Sequence, residues 1–511
     1  MKTKQETLRW PGHWNALALA MLLGGISCSW AQEAVPVIAP RDLGAELNTF
    51  LGTSVNSEAV AVNDAGQVVI NVVSLGHAYL WSADAGFVDL GTLGGNYCQA
   101  GAINSAGHVV GYRKSAEGDI RAFLWTPETG IQDLVTDSGP VPYTSSVAWF
   151  INEQGQVAGL ATPLMGMPHA VWWGTGLDLM DIHDDTVGPV DVPMDLNNLG
   201  QVVGYTGDGK LNIWAFVWDA ASGMRVLALP EGDIYLHSWA YSINDRGEAV
   251  GASGAHDDSP PSPMAYWARA CRWSPEGVPQ LLEQTGCWFS EAYDVNNAGQ
   301  VVGFSTVNFS DTDPGHQHAT LWTPNGEGMV QVDLGTLDET LFSECNALAI
   351  NELGQVIGIS SGYGGSCGVA WTEPVGMVEL GDLGQKVTGV VALNNVGLVV
   401  GKGWTDGLQH ACVWQLPLPP LTPQEEVEAI VDELIEMVDT GILDEGEGTE
   451  LVVTLEGAAN KFAEEQTKPA ENMLQAFINK IEAKVKSGKL SPEDGAALIV
   501  AASAVLEDLE D

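Results

Sequence analysis

One short segment of the chain brings carboxylates and imidazoles close together. It runs Asp311-Thr-Asp313-Pro-Gly-His316-Gln-His318, and carboxylate oxygens and imidazole nitrogens are ligands that Ca²⁺ and Zn²⁺ use in proteins. A solvated acidic loop is the alternative interpretation, because the whole chain is rich in acidic residues. The segment gives three candidate metal ligands, Asp311, Asp313 and His316, and Ca²⁺ is the cofactor they would hold.

Two separate carboxylates form a second candidate group. Asp195 and Asp294 each lie two residues before an asparagine, in two copies of one repeated pattern. Paired carboxylates carry out glycoside hydrolysis, and such a pair has no fixed spacing in a sequence. The other interpretation is that both side chains line a polar channel. The chain has no Gly-x-Ser-x-Gly, phosphate-binding loop or His-Glu-x-x-His, so no motif with local spacing supports catalysis.

Aromatic side chains outside the repeated positions are candidates for a ligand-binding surface. Rings beside carboxylates can stack on sugar rings, and packing within the loops is the alternative. They fall on the side where the connections between strands vary most in length, and variable loops on a rigid scaffold commonly carry function. The five candidates are Tyr97, His237, Trp239, Trp288 and Trp404.

A repeated unit must position all of these residues. The pattern Asn-x-x-Gly-x-Val-x-Gly, followed by a segment that ends in tryptophan and often by Asp-Leu-Gly, recurs eight times. Self-similarity at a period of this length indicates a repeat architecture. The asparagines are Asn63, Asn104, Asn152, Asn197, Asn244, Asn296, Asn351 and Asn394. The tryptophans are Trp81, Trp125, Trp173, Trp218, Trp273, Trp322, Trp371 and Trp414.

Each unit predicts four short strands, termed A to D in chain order. Strand A ends at the asparagine, Asn-x-x-Gly forms a tight turn, strand C ends at the tryptophan, and strand D carries Asp-Leu-Gly. Such units predict an all-β fold, an eight-bladed β-propeller of four-stranded blades. The last unit lacks strand D, whereas Asp42-Leu43-Gly44 precedes the first asparagine. We therefore expect residues 40–46 to close the ring as an N-terminal strand of blade eight.

Four histidines begin strand C, at His77, His169, His318 and His410. Because they recur once per blade, they are spread around the ring and cannot share one metal ion. They and the strand-C tryptophans are predicted to pack between blades, where an aromatic ring at one fixed position fills the same space each time.

These markers resemble those of the HAF-type extracellular repeat proteins of bacteria. The resemblance rests on His-Ala-x-x-Trp, as in His318-Ala-Thr-Leu-Trp322, together with the asparagine pattern, and it covers about residues 40–415. It implies export and brings no defined activity. The chain departs from the pattern at Ile70, which replaces the second glycine of unit one, and at Cys367, which replaces the histidine of unit seven.

A helical region follows a Pro-rich linker at residues 417–423. Thr422-Pro423-Gln424-Glu425 predicts a helix start, with an N-cap, a proline at the first position and a capping-box glutamate. Apolar residues at helical spacing predict four short helices in residues 424–511, a small all-α bundle. The order of its segments, among them Gly488-Lys-Leu-Ser491, resembles the FIMAH-type module of secreted bacterial proteins, which implies association with a surface or polymer.

The first 31 residues predict an export signal. Basic residues precede an apolar run from Ala16 to Ser27, and Ser29-Trp30-Ala31 fits a signal-peptidase site, so we expect cleavage after Ala31. A lipoprotein signal with an acylated Cys28 is the alternative. The remaining cysteines would form three disulfides in an exported chain or stay reduced as small buried residues. They are Cys98, Cys271, Cys287, Cys345, Cys367 and Cys412.

The formal net charge of −46 narrows the choice of partners. Such a surface repels nucleic acid and anionic membrane, and no later segment is apolar over the length of a membrane span. The predicted organisation is a signal peptide at 1–31, a propeller at 32–416, the linker at 417–423 and the helical bundle at 424–511.

The function predicted from the sequence is that of a secreted, non-enzymatic binding or adhesion scaffold. Its B–C and D–A connections vary in length and emerge on one face, which we expect to bind an extracellular carbohydrate or a cell-surface component. Two alternatives stay open. One is a glycosidase or lyase acting on an extracellular polysaccharide, and the other is a structural surface protein with no small ligand.

Overall fold

Each repeat folds as a meander because its asparagine and glycine fix the first turn. This computed structural model describes residues 37–134, 143–184, 186–209, 212–231, 237–256, 266–282, 289–307, 316–326, 328–337, 344–362, 365–418, 422–464 and 466–509. In all eight turns the glycine has a φ between 72° and 80° and donates its N–H to the asparagine carbonyl. Glycine adopts this left-handed conformation without steric cost, so the predicted tight turns are confirmed.

The strands pair as eight antiparallel blades of four. Two strands precede the repeats, β1 (Val37–Ile38) and β2 (Arg41–Asp42). Blade one contains β3 (Glu58–Val62), β4 (Val68–Val72), β5 (His77–Ser82) and β6 (Gly86–Asp89). Blade two contains β7 (Tyr97–Ile103), β8 (Val109–Lys114), β9 (Ile120–Thr126) and β10 (Gly130–Asp133). Blade three contains β11 (Tyr143–Ile151), β12 (Val157–Pro163), β13 (His169–Trp173) and β14 (Leu179–Asp181). Blade four contains β15 (Val190–Leu196), β16 (Val202–Gly207), β17 (Ile213–Asp219) and β18 (Gly223–Val226).

The second half of the ring follows the same order. Blade five contains β19 (His237–Ile243), β20 (Ala249–His256), β21 (Tyr266–Trp273) and β22 (Pro279–Leu281). Blade six contains β23 (Ser290–Val295), β24 (Val301–Val307), β25 (His316–Asn325) and β26 (Gly328–Gly335). Blade seven contains β27 (Glu344–Ile350), β28 (Val356–Gly362), β29 (Gly365–Thr372) and β30 (Gly376–Leu380). Blade eight contains β31 (Gln385–Leu393), β32 (Leu398–Thr405), β33 (Leu408–Gln415) and β2.

The blades form a closed eight-bladed propeller. The first strand of each blade lies against the first strands of both neighbours, and β31 of blade eight contacts β3 of blade one. Each first strand also carries a β-bulge just before its asparagine, as between Ala292 and Asp294 in blade six. A bulge increases local twist, and one per blade at the same position bends every inner strand alike.

The N-terminal closing strand is confirmed, but it is shorter than predicted. β2 pairs antiparallel with β33, and the Asp42 carboxylate lies 2.9 Å from Nδ1 of His410. Residues 43–46 are not strand, because Asp42 accepts the N–H of Ala45 at 2.8 Å and caps a helix, α1 (Leu43–Leu51). Leu43 and Leu47 of α1 are fully buried against blades one and eight. A further strand that the sequence did not predict, β1, pairs parallel with β30 of blade seven.

The hydrophobic core of the ring lies between blades. Trp125 of blade two, for example, packs with Val69 and Leu80 of blade one, which confirms the predicted inter-blade position of the repeated tryptophans. Five described cysteines lie within this packing, Cys98, Cys271, Cys345, Cys367 and Cys412, and Cys98, Cys345 and Cys412 are free thiols. Burial raises the pKa of the Cys98 thiol to about 12, which keeps it protonated and unreactive. Of the two alternatives that the sequence left open, Cys98, Cys345 and Cys412 are reduced, while Cys287 lies outside the described residues.

The C-terminal region contains four helices with a core of their own. They are α2 (Pro423–Asp439), α3 (Glu445–Ala463), α4 (Thr467–Lys486) and α5 (Pro492–Asp508). The predicted capping box is present, since Glu425 accepts the backbone N–H of Thr422 at 2.7 Å and its own N–H reaches the Thr422 hydroxyl at 3.3 Å. Leu434, Leu455 and Phe477 are among the side chains buried where the helices meet. Among the described residues, no helix has the length and apolar character that a membrane crossing requires.

Candidate functional site

The repeated asparagines do more than form turns. Each asparagine Nδ2 donates to the backbone carbonyl of the asparagine in the next blade, at 2.8 to 3.1 Å, and Asn394 of blade eight donates to Asn63 of blade one. The eight bonds therefore form a closed circle, which we call the asparagine ring. All eight side chains are buried. The asparagines therefore join the blades as well as forming the turns.

The histidines that begin strand C also have a structural partner. Nδ1 of His77 lies 2.8 Å from an oxygen of Asp89, and Nδ1 of His318 lies 2.9 Å from Asp333. The same pair joins His410 to Asp42 across the closure of the ring. Within a blade, the pair fastens strand D to strand C. This agrees with the predicted packing role, with the exception of blade three, considered below.

The two candidate catalytic carboxylates are brought together through a serine. Asp195, Ser242 and Asp294 occupy the same repeat position in blades four, five and six, and we call them the acid arc. The Ser242 hydroxyl lies 3.0 Å from Asp195 Oδ2 and 2.9 Å from Asp294 Oδ1. A hydroxyl has one proton to donate, so both contacts form hydrogen bonds only when one carboxyl is itself protonated and donates to the serine oxygen.

The charge state of the acid arc follows from its surroundings. Burial, with a further contribution from the charge of Asp294, raises the pKa of Asp195 to about 6, and burial also raises the pKa of Asp294. All four carboxylate oxygens nevertheless accept backbone N–H groups. Ile243 donates to Asp195 and Ile350 donates to Asp294, each at 2.9 Å and each from the following blade. Oxygens committed to joining blades favour channel lining over glycoside hydrolysis.

The predicted aromatic residues lie in three separate blades. Tyr97 of blade two is half-buried and donates its hydroxyl to Gln99 at 2.8 Å. His237 of blade five is buried and accepts the N–H of Ile213, while the half-buried Trp239 ring lies 6.1 Å from it. Trp404 is half-buried on β32 of blade eight. The structure therefore does not assemble them into one binding strip, and Trp288 lies outside the described residues.

The candidate metal site has one described member. His316 begins β25, opposite Val307, whereas Asp311 and Asp313 lie outside the described residues. Within the described parts of the chain, no group of three or more histidines, cysteines and acidic residues has the geometry to hold a metal ion. The metal and Ca²⁺ hypotheses stay predictions.

A groove that the sequence did not predict opens between blades six and seven. It has a volume of about 600 Å³ and lies beside the asparagine turns. Trp371 is its aromatic wall, and it is half-buried, whereas the other seven repeated tryptophans are buried. Its indole N–H has no hydrogen-bond partner among the described residues, whereas that of Trp273 donates to a carbonyl at 2.8 Å. The residues that line the groove include Gln300, Thr323, Val332, Leu353, Trp371 and Glu373.

Arginines fill the same space at the two preceding interfaces. Between blades four and five, Arg225 bonds the carbonyls of Pro275 and Glu276. The strand register places Val332 at the position of Arg225, because each lies opposite the residue before its blade's tryptophan. Between blades five and six, Arg272 bonds Glu248, and Leu321 takes its place in blade six. Two smaller side chains leave the groove open.

Comparison with known proteins gives likeness of fold alone. No protein-family model and no curated protein matches the chain. A putative TolB from Agrobacterium tumefaciens is 14% identical over 45% of this chain and 82% of its own, with a TM-score of 0.31. A virginiamycin B lyase from Staphylococcus aureus is 10% identical over 71% and 96%, with a TM-score of 0.34. A gluconolactonase from Xanthomonas campestris is 15% identical over 54% and 95%, with a TM-score of 0.28. Likeness at these values says nothing about activity.

Proposed function

We propose that the protein binds neutral carbohydrate, and that the groove between blades six and seven is its binding site. The observation that carries the proposal is Trp371, the one repeated tryptophan among the eight that is half-buried. An accessible indole with a free N–H offers both a face for a sugar ring and a donor for a hydroxyl. Secretion stays part of this proposal.

The polar groups around the indole support a sugar as the ligand. Gln300 Oε1 is held by Asn296 at 2.8 Å, and its Nε2 has no partner among the described residues. Thr323 is half-buried, and the Glu373 carboxylate is exposed at the rim. These groups supply donors and acceptors around an aromatic and aliphatic floor, which is the usual composition of a small-ligand site. The net charge of −46 disfavours anionic polymers.

The groove lies on the face of the constant turns, opposite the variable loops on which the sequence placed function. Its floor comes from the asparagine turn of blade seven, where Leu353 is 40% exposed, and its rim from the short turn after Trp371. The departure from the repeat here is a change of side chains, not of loop length. A binding site on this face keeps its geometry because the asparagine ring holds the turns.

The test is to fill the groove with the arginine that another interface uses. Val332→Arg restores the side chain found at Arg225, and Trp371→Ala removes the stacking surface. Val88→Arg is the matched control, because Val88 has the same register position in blade one and is 40% exposed. Binding of the full chain to an array of neutral glycans, followed by calorimetry on any hit, should weaken about tenfold or more in both groove variants. Equal binding by Val332→Arg and Val88→Arg would contradict the proposal.

A further inference from the structure

A departure from the repeat meets a histidine between blades three and four. Six residues before the asparagine, seven blades have serine, threonine or cysteine, and blade four has Asp191. The position that follows the Asp-Leu of strand D, or its equivalent, is glycine in blades one, six, seven and eight and varies in the others, and in blade three it is His183. Nδ1 of His183 is hydrogen-bonded to Oδ2 of Asp191. His183 and Asp191 lie beside His169 and Asp181, and we call these four residues the paired-histidine cluster.

The fold does not require a carboxylate at Asp191. In other blades the small polar side chain at this position accepts an N–H from strand C of the preceding blade, as Ser146 does from Ala122 at 2.9 Å and Ser290 from Ala270 at 2.8 Å. The Asp191 side chain is fully buried, and its Oδ1 has no hydrogen-bond partner among the described residues. Burying a carboxylate oxygen without a partner destabilises the folded state. A costly residue where seven copies use a neutral one indicates a functional position.

The second imidazole of the cluster is prepared to accept a proton. His169 and His183 are stacked, with ring centroids 4.1 Å apart and planes 22° apart. Nδ1 of His169 lies 2.9 Å from Asp181 Oδ2, which also accepts the Tyr143 hydroxyl at 2.8 Å, while Asp181 Oδ1 accepts the backbone N–H of His183. Three donors fix Asp181 as an acceptor, so Nδ1 of neutral His169 carries the proton and Nε2 carries a lone pair.

His169 is also accessible. Its side chain is 19% exposed, and its Nε2 has no partner among the described residues. Burial and the Asp181 carboxylate raise the pKa of Tyr143, so this phenol stays a donor and acts only to position Asp181. An imidazole that a carboxylate orients through Nδ1, with Nε2 left unbonded on a partly exposed side chain, can act as a general base. Among the described residues, the histidines of blades one and six have the carboxylate but no stacked imidazole.

We propose that the paired-histidine cluster catalyses the hydrolysis of neutral carboxylic esters, with His169 as the general base and Asp181 as its positioning residue. Nε2 takes a proton from water, and the water oxygen forms a bond to the ester carbonyl carbon. The bond from that carbon to the alcohol oxygen then breaks, and the imidazolium returns its proton to the leaving alkoxide. Acid and alcohol are released and neutral His169 is regenerated. The charge of −46 restricts the substrates to uncharged esters and excludes phosphoesters.

The test uses the full chain with p-nitrophenyl acetate and an O-acetylated neutral xylan. His169→Ala should lower kcat at least about a hundredfold, the usual contribution of a general base, whereas His77→Ala, the same repeat position in blade one, should leave it unchanged. Asp181→Asn should lower kcat and alter its pH dependence with little change in KM, because an amide does not fix the tautomer of His169. A purely structural role would not move the pH profile.

A second variant guards against a folding defect. His183→Gly with Asp191→Ser restores the residues that other blades have at these positions, so we expect it to melt no lower than the wild type and to lose the activity. Hydrolysis by the wild type that does not exceed that of His169→Ala on either ester would overturn the proposal, as would equal losses in the His77 and His169 variants. This outcome is independent of the groove, which lies between other blades and has its own variants.

Discussion

The asparagine turns and the interface between blades three and four both join neighbouring blades, but the turns do so with one repeated contact and the interface with residues found only there. At the turns, all eight blades join their neighbours through one identical amide contact. At the interface, blade four replaces the small polar residue of the other blades with a buried carboxylate that needs a histidine beside it. In this repeat protein, a residue that recurs in every blade indicates a structural role. A residue that differs from the other copies and is costly to bury indicates a role other than stabilising the fold.

We expect the largest loss of stability from removing the N-terminal segment that closes the ring non-covalently. Deleting residues 37–51 removes β1, β2 and α1, and with them the buried Leu43 and Leu47. We expect the free energy of unfolding to fall by at least about 5 kcal/mol, because two buried leucines are lost and blade eight is left with three strands. Urea unfolding followed by tryptophan fluorescence measures it.

The control for this deletion is Asp89→Ala. It breaks the same histidine–carboxylate contact inside blade one, where strand D is joined covalently to strand C. We expect a loss of about 1 kcal/mol or less, because this pair is partly exposed. A deletion as mild as this control would show that the ring does not depend on its closing strand.

The next largest loss of stability is expected in the buried asparagine ring, and it can be compared with the exposed contacts beside the ring. Asn351→Ala removes the bond to Asn394 and three others with residues of its own turn. We expect a loss of about 2–4 kcal/mol, because buried donors and acceptors are left unpaired. Asn297→Ala, in the exposed layer one residue further along, should cost about 0.5 kcal/mol or less. Similar melting temperatures for the two variants would contradict the claim that the buried asparagine ring stabilises the propeller more than the exposed contacts do.

The smallest effect concerns the acid arc and depends on pH. The Asp195 pKa is about 6 in the folded ring against an ordinary value of 3.8, so the folded state binds this proton more tightly. Its contribution to stability is fully present below pH 3.8 and is lost as the pH rises through about 6. Asp195→Asn cannot ionise, although its amide nitrogen cannot accept one of the two backbone N–H groups that bond Asp195. We therefore expect the variant to be less stable than the wild type at pH 4, and this difference to shrink by about 2 kcal/mol by pH 8 as the wild type ionises. Parallel melting curves of both proteins across this range would refute the assignment.

The fold was predictable because the same turn and strand signals occur in all eight copies of the repeat. The turns, the position of the tryptophans and even the closing strand follow from residues such as Asn394, Trp414 and Asp42. The helix α1 was missed because Asp42 has two functions, as the last residue of a strand and as an N-cap, and the repeat pattern displays only the first. The resemblance to HAF-type and FIMAH-type proteins and the export signal stay predictions, and residues 1–36 lie outside the described residues.

The sites were less predictable, for a reason that the residues show. Asp195 and Asp294 have equivalent positions in the sequence, but no sequence feature marks Ser242, which joins them. The groove exists because Val332 is not an arginine, and a missing side chain leaves no motif. Asp191 did leave a signal. Aligning the eight copies position by position exposes it as the one carboxylate among serine, threonine and cysteine, although only the structure shows that it contacts His183.

The closing contact also sets an order for folding. Asp42 and His410, which it joins, are separated by 368 positions in the chain. Strand β2 leaves the ribosome early and cannot find its partner until β33 has been made. Joining segments so far apart is entropically costly and slow, and until it happens blade eight exposes an unpaired edge. The ring therefore completes only after nearly the whole chain has been synthesised, and a nascent or truncated chain would be open to chaperones, to proteases and to pairing with a second copy.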